Sequence, residues 1–462
     1  MREIVAVLHS ILPAPSASSA ICKRLHGDPS PEQLAELLHA EPGFAWLDGA
    51  DTRQILLHQP LATISCDGET ASVSGPGGAV QFPARAMDVL DAMLEAWRGP
   101  AHALLVGFLS YDLAGEIEEL DQQPKCDFSF PTLHFGLFDS ALVREDGAWR
   151  QHATNAWREP GDAEALLRNA AGASAVSQPL RSGVLTSRPD QACFQAAVER
   201  IVRRIHNGDF FQTNLCRRLQ AALHPSQAWE LYRRLRAISP AHYGGLLNIG
   251  GGQSVLSVSP ELFLKVDAAR NVESRPIKGT RPRGSSDQED RALATELLTS
   301  EKDRAELAMI VDVVRNDLSR VCETGSVTVA RHAELESLPT VHHTVSTIRG
   351  SLREGTRIGT LLRAAFPAAS ITGAPKIEAM RAASAEERQR RGPCMGSIGW
   401  ISMDGRMELS VAIRTAFLTG GQVYYYAGGG ITADSDPASE FQETCHKAAA
   451  FLRALGTDHG TA

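Results

Sequence analysis

The string Pro276-Ile277-Lys278-Gly279-Thr280-Arg281-Pro282-Arg283-Gly284 sets one lysine among glycines, prolines and arginines. Read as a tight turn, it crowds Lys278 with Arg275, Arg281 and Arg283. Like charges disfavour an ammonium ion, and a neutral amine is a nucleophile. Two carboxylate pairs lie far from this lysine in sequence: Asp303 with Glu306, and Glu440 with Glu443. Residues three apart share one face of a helix. Ligation by a few oxygens and no nitrogen suits a Mg²⁺ ion that also contacts a bound molecule. Acidic pairs near helix starts also complement the helix dipole, so the spacing alone leaves both readings open. An amine, a metal and a group of cations together describe a pocket for a small anionic substrate.

Other strings could hold such an anion. Ser370-Ile371-Thr372-Gly373-Ala374-Pro375-Lys376 reads as a loop entering a helix, with hydroxyls, N–H groups and a lysine available to a carboxylate. Ala427-Gly428-Gly429-Gly430-Ile431 offers backbone donors without obstructing side chains, although a tight turn would need the same residues. Arg414, in an apolar strand-like run over 407–417, should meet an anion. His343, beside His342, could order or protonate a ligand, or could be a structural histidine. No H-E-x-x-H string or Cys/His spacing suggests zinc. Gly392-Pro393-Cys394-Met395-Gly396 matches the nucleophile elbow of glutamine amidotransferases, but charged residues replace the apolar strand such an elbow requires. The chain is not expected to hydrolyse glutamine.

The elements that must position these residues are visible as periodicity. Ser300 opens a helix whose face carries Leu307, Ile310, Val314 and Val321, with Asp303 inside that stripe and Glu306 on its edge. Asp436-Pro437 opens a second helix with Phe441, Thr444, Ala448, Phe451 and Leu455 inward, and Glu440 and Glu443 bordering them. A helix over 191–207 leads into a strand over 210–219. Strands are expected over 243–249, 253–259 and 423–427, with a hairpin of 396–403 and 407–417 around Asp404-Gly405. Residues 1–156 alternate short apolar runs with turns and helices. Residues 157–189 are rich in Ala, Gly, Ser and Arg and read as a surface connection to a region over 190–457.

A formal charge of −8 argues against nucleic acid or an anionic membrane as the main partner, so any anion binding must be local. The first residues lack a charged leader followed by an apolar run, and no stretch approaches a membrane span. A cytoplasmic location is the expectation. Eight scattered cysteines without a C-x-x-C pair are expected to be ordinary thiols.

In chain order the informative strings are Gly208-Asp209-Phe210-Phe211-Gln212-Thr213-Asn214-Leu215, Ser259-Pro260-Glu261, the Lys278 string and Lys302-Asp303-Arg304-Ala305-Glu306. They continue with Val311-Asp312-Val313-Val314-Arg315-Asn316-Asp317-Leu318, Thr372-Gly373-Ala374-Pro375-Lys376, Ala412-Ile413-Arg414-Thr415, and Ala433-Asp434-Ser435-Asp436-Pro437 through Glu443. Their content and order resemble the chorismate-utilising enzymes, which include anthranilate, aminodeoxychorismate, isochorismate and salicylate synthases. The match is strong over residues 191–455 and weak before them. Gln212 stands where the water-using branches carry a lysine, and so resembles the ammonia-using branch. Pro-Ile-Lys-Gly-Thr resembles aminodeoxychorismate synthases, whereas anthranilate synthases typically read Pro-Ile-Ala-Gly-Thr.

The resemblance implies one large α/β (α+β) domain, with two packed antiparallel-rich sheets flanked by helices and residues 1–156 within the same sandwich. It implies that Mg²⁺ would be held by Glu306 and Glu443, assisted by Asp303 and Glu440. Chorismate carboxylates would meet Arg414, Thr372, Gly373, Lys376 and the Gly429–Gly430 backbone. Lys278 would attack C2 of the ring, Glu261 would protonate the leaving C4 hydroxyl, and His343 would order the pocket. Ammonia would come from a separate glutamine amidotransferase subunit. Two departures stand out: Asp303 replaces the commoner Glu, and Cys394 replaces an aromatic residue.

Overall fold

Adjacent residues of a strand point to opposite faces, and in this chain that alternation separates two cores. Leu247 and Val255 join Leu105, Phe108, Ile398 and Leu409 in one apolar cluster shared by two sheets. Their neighbours Leu246 and Leu256 turn the other way, onto Trp229, Tyr232, Phe451 and Leu455 of flanking helices. The computed structural model describes residues 1–49, 53–120, 126–173 and 179–457. Among these, two antiparallel sheets of twelve strands each are flanked by helices, a mixed α/β architecture.

The centre of the first sheet runs Ala45–Asp48, Tyr243–Gly250, Gln253–Ser259, Thr415–Thr419, Gln422–Ile431 and Gln212–Ala222. One end of the second runs Ile277–Pro282, Val341–Ser351, Asn271–Arg275, Leu262–Val266, Met407–Val411, Ser397–Ser402 and Leu104–Leu109. Strands from the N-terminal part thus enter both sheets: Ala45–Asp48 pairs with Tyr243–Gly250, and Leu104–Leu109 with Ser397–Ser402. Residues 157–189 contain the helix Ala163–Ala171 and the edge strand Thr186–Arg188.

Both carboxylate helices start where the capping residues predict. Ser300 accepts from Asp303 N at the head of Glu301–Ser319, and Asp436 accepts from Ser439 N at the head of Pro437–Leu455. The helix Gln191–His206 is capped by Asp190. Two expectations change. The run over 407–417 is not one strand: Met407–Val411 belongs to the second sheet and Thr415–Thr419 to the first. The glycine run 428–430 is not a turn but the interior of the strand Gln422–Ile431, paired with Gln212–Ala222. No described helix is long and apolar enough to cross a membrane, and all eight cysteines are free thiols.

Candidate active site

The chain crosses between the sheets twice at adjacent places. It leaves Gln253–Ser259 for Leu262–Val266 through Pro260 and Glu261, and leaves Met407–Val411 for Thr415–Thr419 through Arg414. The crossings are tied together: Val411 N donates to Glu261 O at 3.0 Å, and Val258 N donates to Arg414 O at 3.1 Å. Arg414 is therefore not strand-borne; its φ of 49° lies in the left-handed region. Burial lowers its pKa, and no ion pair offsets the charge among the described residues. A guanidinium held this way suits an anionic ligand.

Glu261 is 3% exposed. Burial pushes its carboxyl up to about 7, and the Ser370 hydroxyl, the Lys278 charge and the Ile277 N–H offset this only in part. A carboxyl that keeps its proton near neutrality is equipped to act as an acid.

Lys278 lies on the strand Ile277–Pro282, not in a tight turn. The strand pairs with Val341–Ser351 through a register shift between Lys278 and Thr280. Gly279 makes that bulge possible with a φ of 77°; a Cβ there would lie 2.7 Å from Leu297 Cδ1 and 3.0 Å from Asp303 Cγ. The expected crowd of cations is absent, because each arginine has its own carboxylate. Arg275 pairs with Glu336 at 2.8 Å, Arg281 with Glu296 at 2.8 Å and Asp303 at 3.1 Å, and Arg283 with Asp290 at 2.7 Å. Lys278 Nζ instead lies 4.0 Å from Glu306 Oε2. Its charge also acts at longer range on Glu261 and on Glu443.

The glycine strand is the floor of this arrangement. A Cβ on Gly429 would lie 3.0 Å from Glu440 Oε2 and 3.3 Å from Glu443 Oε1. A Cβ on Gly430 would overlap Gln212 Nε2 and lie 3.1 Å from Lys278 Nζ. Only glycine leaves room for carboxylates on one side and the amine on the other. Gln212 donates to Glu306 Oε2 at 3.3 Å, while its own Oε1 is buried without a hydrogen-bond partner.

Glu440 accepts from Ser435 at 2.6 Å through Oε1, while its Oε2 is buried and unpartnered. Burial, then repulsion from Glu443, raises its pKa against the pull of Ser435, Lys302 and Lys447. For Glu443, burial acts upward but is outweighed by Lys447, Lys278 and Lys302, so its pKa falls below the usual value. An orphaned carboxylate oxygen beside a second carboxylate is what a hard divalent cation would satisfy. No group of three His, Cys, Asp or Glu is assembled around a metal position among the described residues. Glu440 and Glu443, side by side over Gly429, thus fit a divalent ion that draws further oxygens from a bound molecule, while Glu306 on the other carboxylate helix lies by Lys278 and Gln212.

The remaining expected residues divide. Asp303 accepts from Arg281 at 3.1 Å through Oδ2, and its backbone N–H is used in the helix cap. Lys376 is engaged within the protein, donating to Asp317 at 2.7 Å and to the carbonyls of Ala365 and Pro367 at 2.8 and 2.9 Å. An ammonium has three donors, and all three are committed. Gly373 pairs with Thr213, which joins this loop to the Gln212 strand, and the Thr372 hydroxyl donates to Ala368 O at 3.1 Å within the loop. His343 shares a hydrogen bond with Thr280 at 2.8 Å through Nδ1 and leaves Nε2 buried and unpartnered. Burial, then the Arg414 charge, lowers its pKa to about 4, so the ring is neutral. Cys394 is buried, with Sγ donating to Thr415 O at 3.1 Å, and is not a nucleophile elbow.

Sequence reasoning missed Lys447, which pairs with Glu443 at 2.6 Å and donates to Gly428 O at 2.9 Å. Its position four residues after Glu443 was the available signal.

Residues 42–453 match the family model of the chorismate binding enzymes. The chain is 36% identical over 434 residues to aminodeoxychorismate synthase component 1 of Escherichia coli, covering 91% of this chain and 93% of that protein. It is 38% identical over 376 residues to anthranilate synthase component 1 of Streptomyces coelicolor, covering 77% and 73%. Among solved structures it resembles anthranilate synthase component I of Streptococcus pneumoniae, with a TM-score of 0.73 and 30% identity over 87% of this chain and 92% of that one. The menaquinone-specific isochorismate synthase of Escherichia coli shares the fold, with a TM-score of 0.74 at 18% identity, covering 98% of each chain. The matched residues take in both sheet crossings, the lysine strand, the glycine floor and both carboxylate helices, and on that basis the chain belongs to the chorismate binding enzyme family.

Proposed function

We propose that this chain is component 1 of an aminodeoxychorismate synthase, a cytoplasmic enzyme that converts chorismate and ammonia to 4-amino-4-deoxychorismate. The observation that carries the reading is Lys278, an amine against Gly430 of the glycine strand, 4.0 Å from Glu306, whose charge also acts on the buried Glu261. Relatives named as component 1 of aminodeoxychorismate synthase, from Escherichia coli and Salmonella typhimurium, support it. Their two-component name also supports an amidotransferase partner as the source of ammonia.

In this reading Arg414 binds a substrate carboxylate. Lys278, once its nitrogen has released a proton to solvent, forms a bond to ring C2. The double bonds shift, the C4–O bond breaks, and protonated Glu261 delivers its proton so that the C4 hydroxyl leaves as water. Ammonia then bonds to C4, the double bonds shift back and the C2–N bond to Lys278 breaks. The proton lost by the incoming nitrogen returns to Glu261. Neutral His343 offers Nε2 without adding charge beside Arg414. A Mg²⁺ ion held by Glu440 and Glu443 would neutralise a substrate carboxylate and withdraw electron density from the ring.

Incubation of the full chain with chorismate, Mg²⁺ and ammonium, with and without added aminodeoxychorismate lyase, tests the reading. A product of the amination mass that the lyase converts to 4-aminobenzoate is the expected result. Anthranilate formed without the lyase would transfer the chain to the anthranilate synthases, the other activity named among its relatives.

A further inference from the structure

The strand that carries Gln212 also carries a charged residue that the reaction does not use. Arg217 is 0% exposed, and no carboxylate pairs with it among the described residues. Its guanidinium is held entirely by neutral groups. Nε donates to Thr444 Oγ1 at 2.6 Å, one terminal nitrogen to Ser187 Oγ at 2.9 Å, and the other to Cys445 Sγ at 3.1 Å. The guanidinium carbon lies 4.6 Å from the centre of the Phe441 ring. Burying a cation without a counter-ion is expensive, and apolar residues of similar volume often serve stability as well or better. The arrangement calls for a reason other than stability.

Its partners suggest that reason. Phe441, Thr444 and Cys445 belong to the helix Pro437–Leu455 and bracket Glu443, and Phe441 follows Glu440 directly. The Thr444 hydroxyl is itself fixed, donating to Phe441 O at 2.7 Å. Ser187, on the edge strand, holds the third side of the fork. Rotating a helix by about 20° moves a carboxylate oxygen by about 2 Å, given an outer radius of roughly 5–6 Å. That movement is as large as a Mg–oxygen bond. A planar fork with donors in fixed directions resists such a rotation better than an apolar contact, which can slide.

We infer that Arg217 is a positioning residue: it sets the rotation of the carboxylate helix against the sheet, and with it the placement of Glu440 and Glu443 for a divalent cation. The inference rests on the metal reading given under the proposed function. It does not depend on which atom of chorismate is aminated.

Mn²⁺ binding to the full chain, with chorismate present and free Mn²⁺ followed by electron paramagnetic resonance, reads the placement without turnover. Arg217→Met should keep or raise the urea midpoint while raising the half-saturating Mn²⁺ concentration at least fivefold. Arg217→Lys, which keeps the charge without the fork, and Thr444→Val, which removes one acceptor, should each raise it at least twofold. They decide the matter if Arg217→Met does not fold. Unchanged Mn²⁺ binding in the folded variants would overturn the inference alone. A wild-type chain that binds no Mn²⁺ would remove the metal reading and this inference with it, whatever product the amination assay yields.

Discussion

Glu261 and Arg414 occupy the two adjacent crossings between the sheets, joined through the hydrogen bonds of Val411 to Glu261 and of Val258 to Arg414. A strand residue has neighbours on both sides, whereas a crossing residue leaves one sheet before it joins the next. That geometry lets a carboxyl and a guanidinium sit buried in the same region without pairing with each other. Burial then raises the carboxyl pKa and leaves the guanidinium available to a ligand.

Lys278→Ala should keep chorismate binding and lose C4 amination by about 10³-fold or more, since removal of a covalent nucleophile is among the costliest active-site changes. Product analysis by mass spectrometry together with chorismate binding by calorimetry checks both halves. Normal yields of the aminated product from this variant would remove the covalent role.

The Glu261 carboxyl should leave a signature in both activity and stability. Its folded pKa, about 7, exceeds the usual 4.5, so between these values the folded state holds a proton that the unfolded chain has released. Stability should therefore fall as pH rises from about 4.5 to about 7 and then level, by on the order of 3 kcal/mol. As a general acid, Glu261 should also make kcat/KM decline above about pH 7. Glu261→Gln should be more stable than wild type at pH 8 by about 1–3 kcal/mol, with activity about 10²–10⁴-fold lower. Urea melts at pH 5 and pH 8 test the stability half.

Gly429→Ala and Gly430→Ala should differ in kind. The first presses on Glu440 and Glu443, whose side chains can yield, and should raise the Mg²⁺ needed for half-maximal activity by about tenfold, or about 1.4 kcal/mol. The second collides with Gln212 and crowds Lys278, and should abolish turnover even at saturating Mg²⁺. Magnesium titrations of ammonium-dependent activity separate the two outcomes.

Lys376→Met should damage stability and not substrate affinity. It would leave the buried Asp317 carboxylate and two carbonyls without their donor, a loss of about 3–5 kcal/mol. Chorismate KM in the folded fraction should stay within about twofold, because ordinary substitutions outside direct contact shift free energies by little. A KM rise of an order of magnitude in a stable variant would return Lys376 to the substrate.

Much of the site was legible as residue types in order. Ser300 and Asp436 announced their helices because capping is local, satisfied within three residues. The inward faces of those helices followed from spacing. Lys278 was misread as a turn because Gly279 and Pro282 resemble turn punctuation; the pairing that makes them a bulged strand comes from residues 341–351. The glycine run was ambiguous for the same reason, since its partner strand lies some two hundred residues earlier.

The sequence by itself therefore determined where helices begin, which stretches extend, and which acids, amines and cations the chain carries in family order. Only the tertiary structure decided the surroundings of each charged group. Arg275, Arg281 and Arg283 look like neighbours of Lys278 along the chain, yet each is neutralised by a carboxylate from a separate segment. Lys376 turns to Asp317, Arg414 is left without an anion among the described residues, Glu306 comes within 4.0 Å of Lys278, and Glu443 pairs with Lys447. Capping and periodicity act over a few residues, whereas pairing and desolvation depend on which surfaces meet across the sheets.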